Sequence, residues 1–255
     1  MHRMNSPRKI VVIGATSAIA HQCSRLWAQQ GPCDFLLVSR SADRAEPLAA
    51  DLRARAANVT ARTAELRFDD VDAIAALVRS ATASGPVDTV LIAHGSLPDQ
   101  ASCQDDLHAA QDALRVNGLS PALIAEAFIG PMQRAGLGRL CIIGSVASDR
   151  GRKSNYVYGA AKGLVDRYAQ GLQHRLALAG SAVRVTLAKP GPTDTPMTAH
   201  RKQGGARLAS AEAVAQCIVK AVAAGRPVVY APGKWALIMW LIRHLPRFVF
   251  NKADI

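Results

Sequence analysis

Short, continuous apolar runs recur along the chain, each followed by a segment with helical spacing. No other feature of the 255-residue sequence constrains the fold as much. Residues 9–13 read as a buried strand, and 17–30 as a helix stopped by Gly31-Pro32. The pattern repeats as strand 34–39, helix 42–57, strand 59–66, helix 71–83 and strand 87–93. Residues 107 to about 134 read as helical, with an interruption expected at Pro121. Then come strand 139–143, helix 156–179, strand 182–188, a Pro/Thr-rich loop, helix 211–223 and a short strand at 227–230. Strands that are apolar throughout, rather than alternating, belong to a parallel sheet covered on both faces. Right-handed crossovers then lead to a doubly wound arrangement. The expected fold is α/β: a single-domain, doubly wound, Rossmann-like parallel sheet with helices on both faces, over residues 1–232. A C-terminal amphipathic segment, aromatic and basic, follows at 233–255.

Composition narrows the function classes. With 49% hydrophobic and 20% charged residues the chain can bury a core, which excludes global disorder. No apolar run reaches the roughly 18 residues a membrane-spanning helix needs. The N-terminal residues run directly into the short apolar stretch at 10–13, too brief for a secretory signal. Cys23, Cys33, Cys103, Cys141 and Cys217 are scattered, odd in number and free of any CxxC pair. That argues against a disulfide framework and against a structural metal, so no metal site and a reducing, cytoplasmic setting are expected. Lys and Arg number 31 against 19 Asp and Glu, a net charge of +12, and residues 200–255 hold nine of the basic and two of the acidic side chains. An anionic partner near that end and a merely solvated basic face are both open readings. Nucleic acid is not expected, because no recognition motif and no aromatic platform interleaves the basic residues.

The first strand runs into Gly14-Ala-Thr-Ser-Ala-Ile-Ala20, which opens the first helix. Such a turn aims backbone N–H groups and a helix N-terminus at an anion. Gly14 can make the tight turn, while Thr16 and Ser17 supply donors; an ordinary turn with Ser17 as N-cap is the alternative. The second strand ends in Arg40. An acid there suits ribose hydroxyls, whereas an arginine suits a 2′-phosphate, unless it is simply a surface residue.

Ser145 follows the fifth strand, and Tyr158 and Lys162 lie four apart in the next helix. Positions i and i+4 share a face, so phenol and ammonium project together. An adjacent ammonium favours phenolate and makes the tyrosine a usable proton donor and acceptor near neutral pH. Ser145, at the carboxyl edge of the sheet, can hydrogen-bond the same substrate oxygen.

Taken together these residues resemble the short-chain dehydrogenase/reductase family over nearly the whole chain. The matches are Gly14 to Ala20 after strand one, Ala93-His94-Gly95 after strand four, Asn117, Ser145, Tyr158-x-x-x-Lys162, and Pro190-Gly191-x-Thr193-x-Thr195, in the family's order and spacing. The resemblance implies an NAD(P)-dependent oxidoreductase, with Tyr158 as acid/base, Ser145 orienting the substrate, Lys162 lowering the tyrosine's pKa and holding the nicotinamide ribose, and Asn117 holding a relay water. It implies dinucleotide contacts at Gly14, Thr16, Ser17, Ile19, Arg40, Asp69 (adenine), Ala93, Gly95, Pro190, Gly191, Thr193 and Thr195. Arg40 points to NADPH in preference to NADH. Ala18 and Ala20 stand where the family usually has two further glycines, each adding a methyl at a position of close approach. His94 departs from the usual Asn-Ala-Gly turn and reads either as a structural imidazole or as a substrate contact.

The stretch from Ser145 to Tyr158 is similar to a subset that includes the decaprenylphosphoryl-2-keto-pentose reductase, implying a ketosugar on polyprenyl phosphate as one candidate substrate and a place in cell-envelope biosynthesis. Arg150, Arg152 and Lys153 could meet a phosphate or form a basic surface loop. The aromatic and basic residues of 233–252 suit a segment lying in a membrane interface, or a helix that closes the site or packs on another subunit. The expected location is therefore the cytoplasm, including the inner membrane face. Two other functions stay open: a reductase of a small soluble ketone, steroid or acyl substrate, and a non-catalytic NADP-binding sensor or scaffold. Relatives commonly form dimers or tetramers through the helices bearing Asn117 and Tyr158, so a homo-oligomer is expected.

Overall fold

The computed structural model describes residues 6–199 and 207–252. The reading of the N-terminal residues 1–5, of 200–206 in the loop, and of the last three residues of the C-terminal segment lies outside the described residues. The strands of the main sheet are β1 (Arg8–Ile13), β2 (Cys33–Ser39), β3 (Val59–Glu65), β4 (Thr89–Ile92), β5 (Arg139–Ile143), β6 (Arg184–Pro190) and β7 (Val228–Ala231), and two short strands, Thr193–Asp194 and Ala209–Ser210, pair separately. The main sheet is parallel, in the order β3-β2-β1-β4-β5-β6-β7. The order reverses between β1 and β4, and a doubly wound sheet opens its ligand crevice at that switch point, beyond the carboxyl ends of the strands.

Alternate residues of the central strands feed two cores, which is why those strands are apolar on both faces, whereas the edge strand β3 alternates buried with exposed positions. Ile10 and Val12 of β1 face a core shared with α1 (Ala18–Ala28), α2 (Ala42–Arg55) and the helix Ala211–Ala223. Val11 and Ile13 face a second core built with α3 (Val71–Ala83) and the helices Ser120–Ala135 and Tyr156–Leu178. Each such side chain, fully withdrawn from water, stabilises the fold by about 1.5–3 kcal/mol. Polar caps set the helix starts: Ser17 Oγ accepts from Ala20 N, Asp70 from Ala73 N and Ser210 from Ala213 N.

One region differs from the sequence expectation. A short helix, α4 (Gln100–Asp105), precedes the expected run, which is itself divided into α5 (Leu107–Leu114), a π turn at Arg115–Leu119 and α6 (Ser120–Ala135). The interruption begins ahead of Pro121, which sits in the first turn of α6, where a missing N–H costs little. The wide turn is centred on buried Asn117 instead, and such turns frequently mark functional positions. The C-terminal segment is helical, and two helices follow α7 (Tyr156–Leu178) and α8 (Ala211–Ala223): α9 (Lys234–His244) and α10 (Arg247–Phe250). Met239 and Ile242 of α9 are buried with Val146, next to Ser145, in a small third core joined by Tyr230, Trp235, Ile238 and Phe250.

Candidate active site

The catalytic and dinucleotide-contact residues expected from sequence all line one cavity of about 670 Å³ at the carboxyl edge of the sheet. In its middle the β1–α1 turn presents Gly14, Thr16, Ser17, Ala18 and Ile19. Gly14 has φ +82°, and a Cβ there would meet the His94 backbone nitrogen at 2.4 Å, so this turn requires glycine. The N-terminus of α1 opens on the cavity with its first N–H groups outward, a site for an anion. Of the two alanines replacing glycines, Ala18 lines the cavity, whereas Ala20 is buried in the core beneath α1. Only one added methyl therefore approaches the cavity.

Arg40 is exposed at the end of β2, and Arg44 and Arg67 line the same part of the cavity. Sequence reasoning found only the first. The other two come together through the β2–α2 and β3–α3 connections, and basic residues just beyond adjacent strands were the available signal. Asp69 is also at this rim, in an ion pair with Arg115 at 3.1 Å.

His94 is 7% exposed; its Nε2 lies 2.8 Å from Ser120 Oγ and its ring packs on Phe68 with centroids 4.4 Å apart. Since Ser120 Oγ donates to the Phe68 carbonyl, it accepts from His94 Nε2–H. Burial, then the Lys162 and Arg40 charges, push its pKa down to about 3. It is a neutral imidazole in the cavity wall, with Nε2 held by Ser120 and Nδ1 buried without a partner among the described residues.

Asn117 is fully buried; its Oδ1 accepts from Ser96 N at 2.9 Å, and its Nδ2 donates to Ala113 O at 3.0 Å. A Cβ on Gly95 would meet that Oδ1 at 2.9 Å and Lys162 Nζ at 3.7 Å, which places Ala93-Gly95, Asn117 and Lys162 side by side. Ser145, 9% exposed, caps a short turn, its Oγ accepting from Ala147 N at 3.1 Å. Tyr158 and Lys162 project from one face of α7, with Nζ 5.8 Å from the phenol ring centroid. Lys162 is 3% exposed and donates to the Ile143 carbonyl at 3.0 Å. Burial pushes its pKa down to about 8, which leaves it mostly charged at neutral pH yet close to titration.

Pro190, Gly191, Thr193 and Thr195 form the last wall, after β6. Asn155 also lines the cavity and was not singled out from sequence; Arg152, read as a phosphate contact or a basic surface residue, lines it too, as does Trp235 of the C-terminal segment. Trp235 arrives only because α9 folds back onto the Ser145 turn. Arg150 does not face the cavity as a phosphate ligand. It donates to the carbonyls of Ile242 (2.5 Å) and Leu245 (2.6 Å) and lies over the Phe250 ring, so the end of α9 takes its charge.

These residues fit a dinucleotide: a glycine turn and helix N-terminus in the middle, arginines at one end, and a buried hydroxyl, phenol and ammonium at the other. Residues 8–205 match the profile of the short chain dehydrogenase family. The chain belongs to that family. As a short-chain dehydrogenase it is an NAD(P)-dependent oxidoreductase. It is 34% identical over 246 residues to an uncharacterized oxidoreductase of Mycobacterium tuberculosis, covering 95% of this chain and 96% of that one. It is 34% identical over 253 residues to an uncharacterized oxidoreductase of Streptomyces coelicolor, covering 98% and 97%. A short chain dehydrogenase from Burkholderia cenocepacia, solved in complex with NADP, shares the fold with a TM-score of 0.80 at 17% identity, over 97% of each chain. These relatives carry the short-chain dehydrogenase assignment and stop short of the ketopentose-reductase subset. Among the described residues, no helix of this short-chain dehydrogenase is long and apolar enough to cross a membrane.

Proposed function

We propose that the chain reduces a ketone with NADPH, and that the ketone is a ketosugar carried on a polyprenyl phosphate. The observation that carries the first part is one cavity with Arg40, Arg44 and Arg67 at one end and Ser145, Tyr158 and Lys162 at the other. The arginines suit a 2′-phosphate, which NADH lacks. Bound NADPH supplies the hydride. The Ser145 hydroxyl donates to the ketone oxygen and orients it. Tyr158 gives its phenolic proton to the same oxygen as negative charge develops there. The Lys162 ammonium stabilises the phenolate that remains and holds the nicotinamide ribose, and Asn117 beside it holds the water that returns the proton.

The lipid part rests on α9 and α10. Leu237, Trp240 and Leu241 are exposed at helical spacing on α9, on the side away from buried Met239 and Ile242, and Phe248 is exposed on α10. Residues 233–252 contain Lys234, Arg243, Arg247 and Lys252 and no Asp or Glu. An apolar stripe edged only by positive charge suits an anionic lipid surface, and Trp235 on the same helix lines the cavity, so the site opens where the lipid would be. These features support a peripheral position at the inner membrane face. Exposed Leu107, Leu114, Tyr156 and Leu164, on the helices around Asn117 and Tyr158, support a homo-oligomer.

The test is NADPH oxidation with polyprenyl-phosphate ketopentose and with soluble ketones, side by side. Preference for the lipid-linked sugar is expected. Efficient turnover of soluble ketones alone would overturn the substrate class, and NADPH binding without any turnover would favour a sensor.

A further inference from the structure

Behind the catalytic turn lies a buried charge cluster that the reduction chemistry does not use. Along β6, Val185 and Leu187 point into the core against α7, and the next position on that face is Lys189. An apolar side chain is expected there by the strand period, yet the residue is a lysine only 4% exposed. Its Nζ donates to Asp149 Oδ1 at 2.5 Å and to Asp166 Oδ2 at 2.6 Å. Both carboxylates are themselves enclosed, with side chains 1% and 10% exposed. Tyr230 OH donates to the second oxygen of Asp149 at 2.7 Å, and Gln170 Nε2 to the second oxygen of Asp166 at 2.7 Å.

Burial alone would drive the ammonium toward the neutral form. The hydrogen bonds and charges of the two aspartates outweigh it and raise the Lys189 pKa. Desolvating three charges is costly, and apolar residues of the same volume are often no less stable. A buried ion cluster is thus weak evidence of a stability role, and the position of this one points to another. Asp166 is one turn beyond Lys162 on the helix that carries Tyr158. Asp149 ends the turn that begins at Ser145. Lys189 immediately precedes Pro190-Gly191. Ser148 Oγ connects cluster and turn, lying 2.8 Å from the Ser145 carbonyl and 3.2 Å from Asp166 Oδ2. Tyr230 leads through the end of β7 into α9 and Trp235.

We propose that Lys189 is a positioning residue for the reduction: held between Asp149 and Asp166, it locks the Ser145 turn against the helix bearing Tyr158 and Lys162, so that the serine hydroxyl and the phenol meet one carbonyl oxygen. It touches neither substrate nor cofactor. A loss of alignment of this kind lowers kcat while leaving dinucleotide affinity, set mainly at the arginine end, in place. This inference rests on the proposed roles of Ser145 and Tyr158.

The experiment compares the full chain with Lys189→Met, Asp149→Asn and Tyr158→Phe, well below each melting midpoint. Steady-state reduction is read with polyprenyl-phosphate ketopentose and with 2,3-hexanedione, and NADPH affinity by its fluorescence. Lys189→Met leaves two carboxylates facing each other; Asp149→Asn keeps the shape and the Lys189–Asp166 pair, and decides the matter if Lys189→Met does not fold. Expected is a fall in kcat of at least about tenfold, with the Kd for NADPH within about twofold. Normal kcat in the folded variants, beside an inactive Tyr158→Phe, overturns the positioning role alone. A parallel loss of NADPH binding also overturns it, as a general loosening of the fold. Retained turnover in Tyr158→Phe, or none by the parent chain on either ketone, removes the reading on which it rests.

Discussion

The indole of Trp235 lies directly on the Cα of Gly191, so closely that a methyl group there would come within 1.9 Å of Nε1. The contact joins the C-terminal helix to the Pro190-Gly191 wall of the cavity. Gly191→Ala should push the indole out and cost about 1–3 kcal/mol, as overpacking does. Thermal melts check this, and combining Gly191→Ala with Trp235→Ala should recover most of the loss attributable to the clash. Unchanged stability in Gly191→Ala would mean that Trp235 does not hold this position.

Arg40→Ala should weaken NADPH binding about 10- to 100-fold, the value of a charge-assisted hydrogen bond to phosphate, and leave NADH binding unchanged. Titration of cofactor fluorescence checks both. Arg44→Ala and Arg67→Ala should act in the same direction, since both line that end of the cavity. Equal losses for the two cofactors would count against a 2′-phosphate site.

Much of this was legible in the sequence, and for a physical reason. The strands of a sheet buried on both faces must be apolar at every position, so β1, β2 and β5 announce themselves. The site residues sit in fixed relation to those strands and to one helix period, so Gly14, Ser145, Tyr158 and Lys162 could be placed. What escaped depends on chain segments far apart in sequence. Arg150 reads as a phosphate contact or a surface-loop residue until α9 supplies carbonyls for it. Trp235 enters the cavity only by tertiary packing. The π turn around Asn117 carries no composition signal, and the proline rule put the break too late. Lys189 lay just beyond the strand read at 182–188, and its inward position shows only because β6 runs on to Pro190.

The Lys162 pKa of about 8 sets a pH dependence. The folded value lies below the ordinary 10.5, so the unfolded chain binds more protons between the two, and stability rises with pH from about 8 to 10.5. Below that window the penalty for the buried ammonium is complete. Lys162→Met should therefore lose turnover, yet gain stability at pH 7 by up to about 3 kcal/mol, a gain that fades as pH rises through the window. Denaturant unfolding at pH 7 and pH 10 checks it. In the parent enzyme, reduction should decline above about pH 8 as Lys162 loses its proton.

The exposed stripe on α9 and α10 should bring the protein down with anionic vesicles and leave it in solution with neutral ones. Trp240→Ser with Leu241→Ser should abolish sedimentation without changing NADPH affinity, and added salt should weaken it, as expected for a basic surface. Co-sedimentation with phosphatidylglycerol and phosphatidylcholine vesicles measures this. Equal recovery from both would contradict a lipid-facing role.

The most direct test of the central claim is NADPH oxidation by Tyr158→Phe with whichever ketone the parent enzyme reduces best. The substitution removes one hydroxyl on a helix held by the second core, so fold and NADPH affinity should persist while turnover falls by at least about a thousandfold, in the range of removing a general acid. Turnover retained within about tenfold of the parent would contradict Tyr158 as the proton donor.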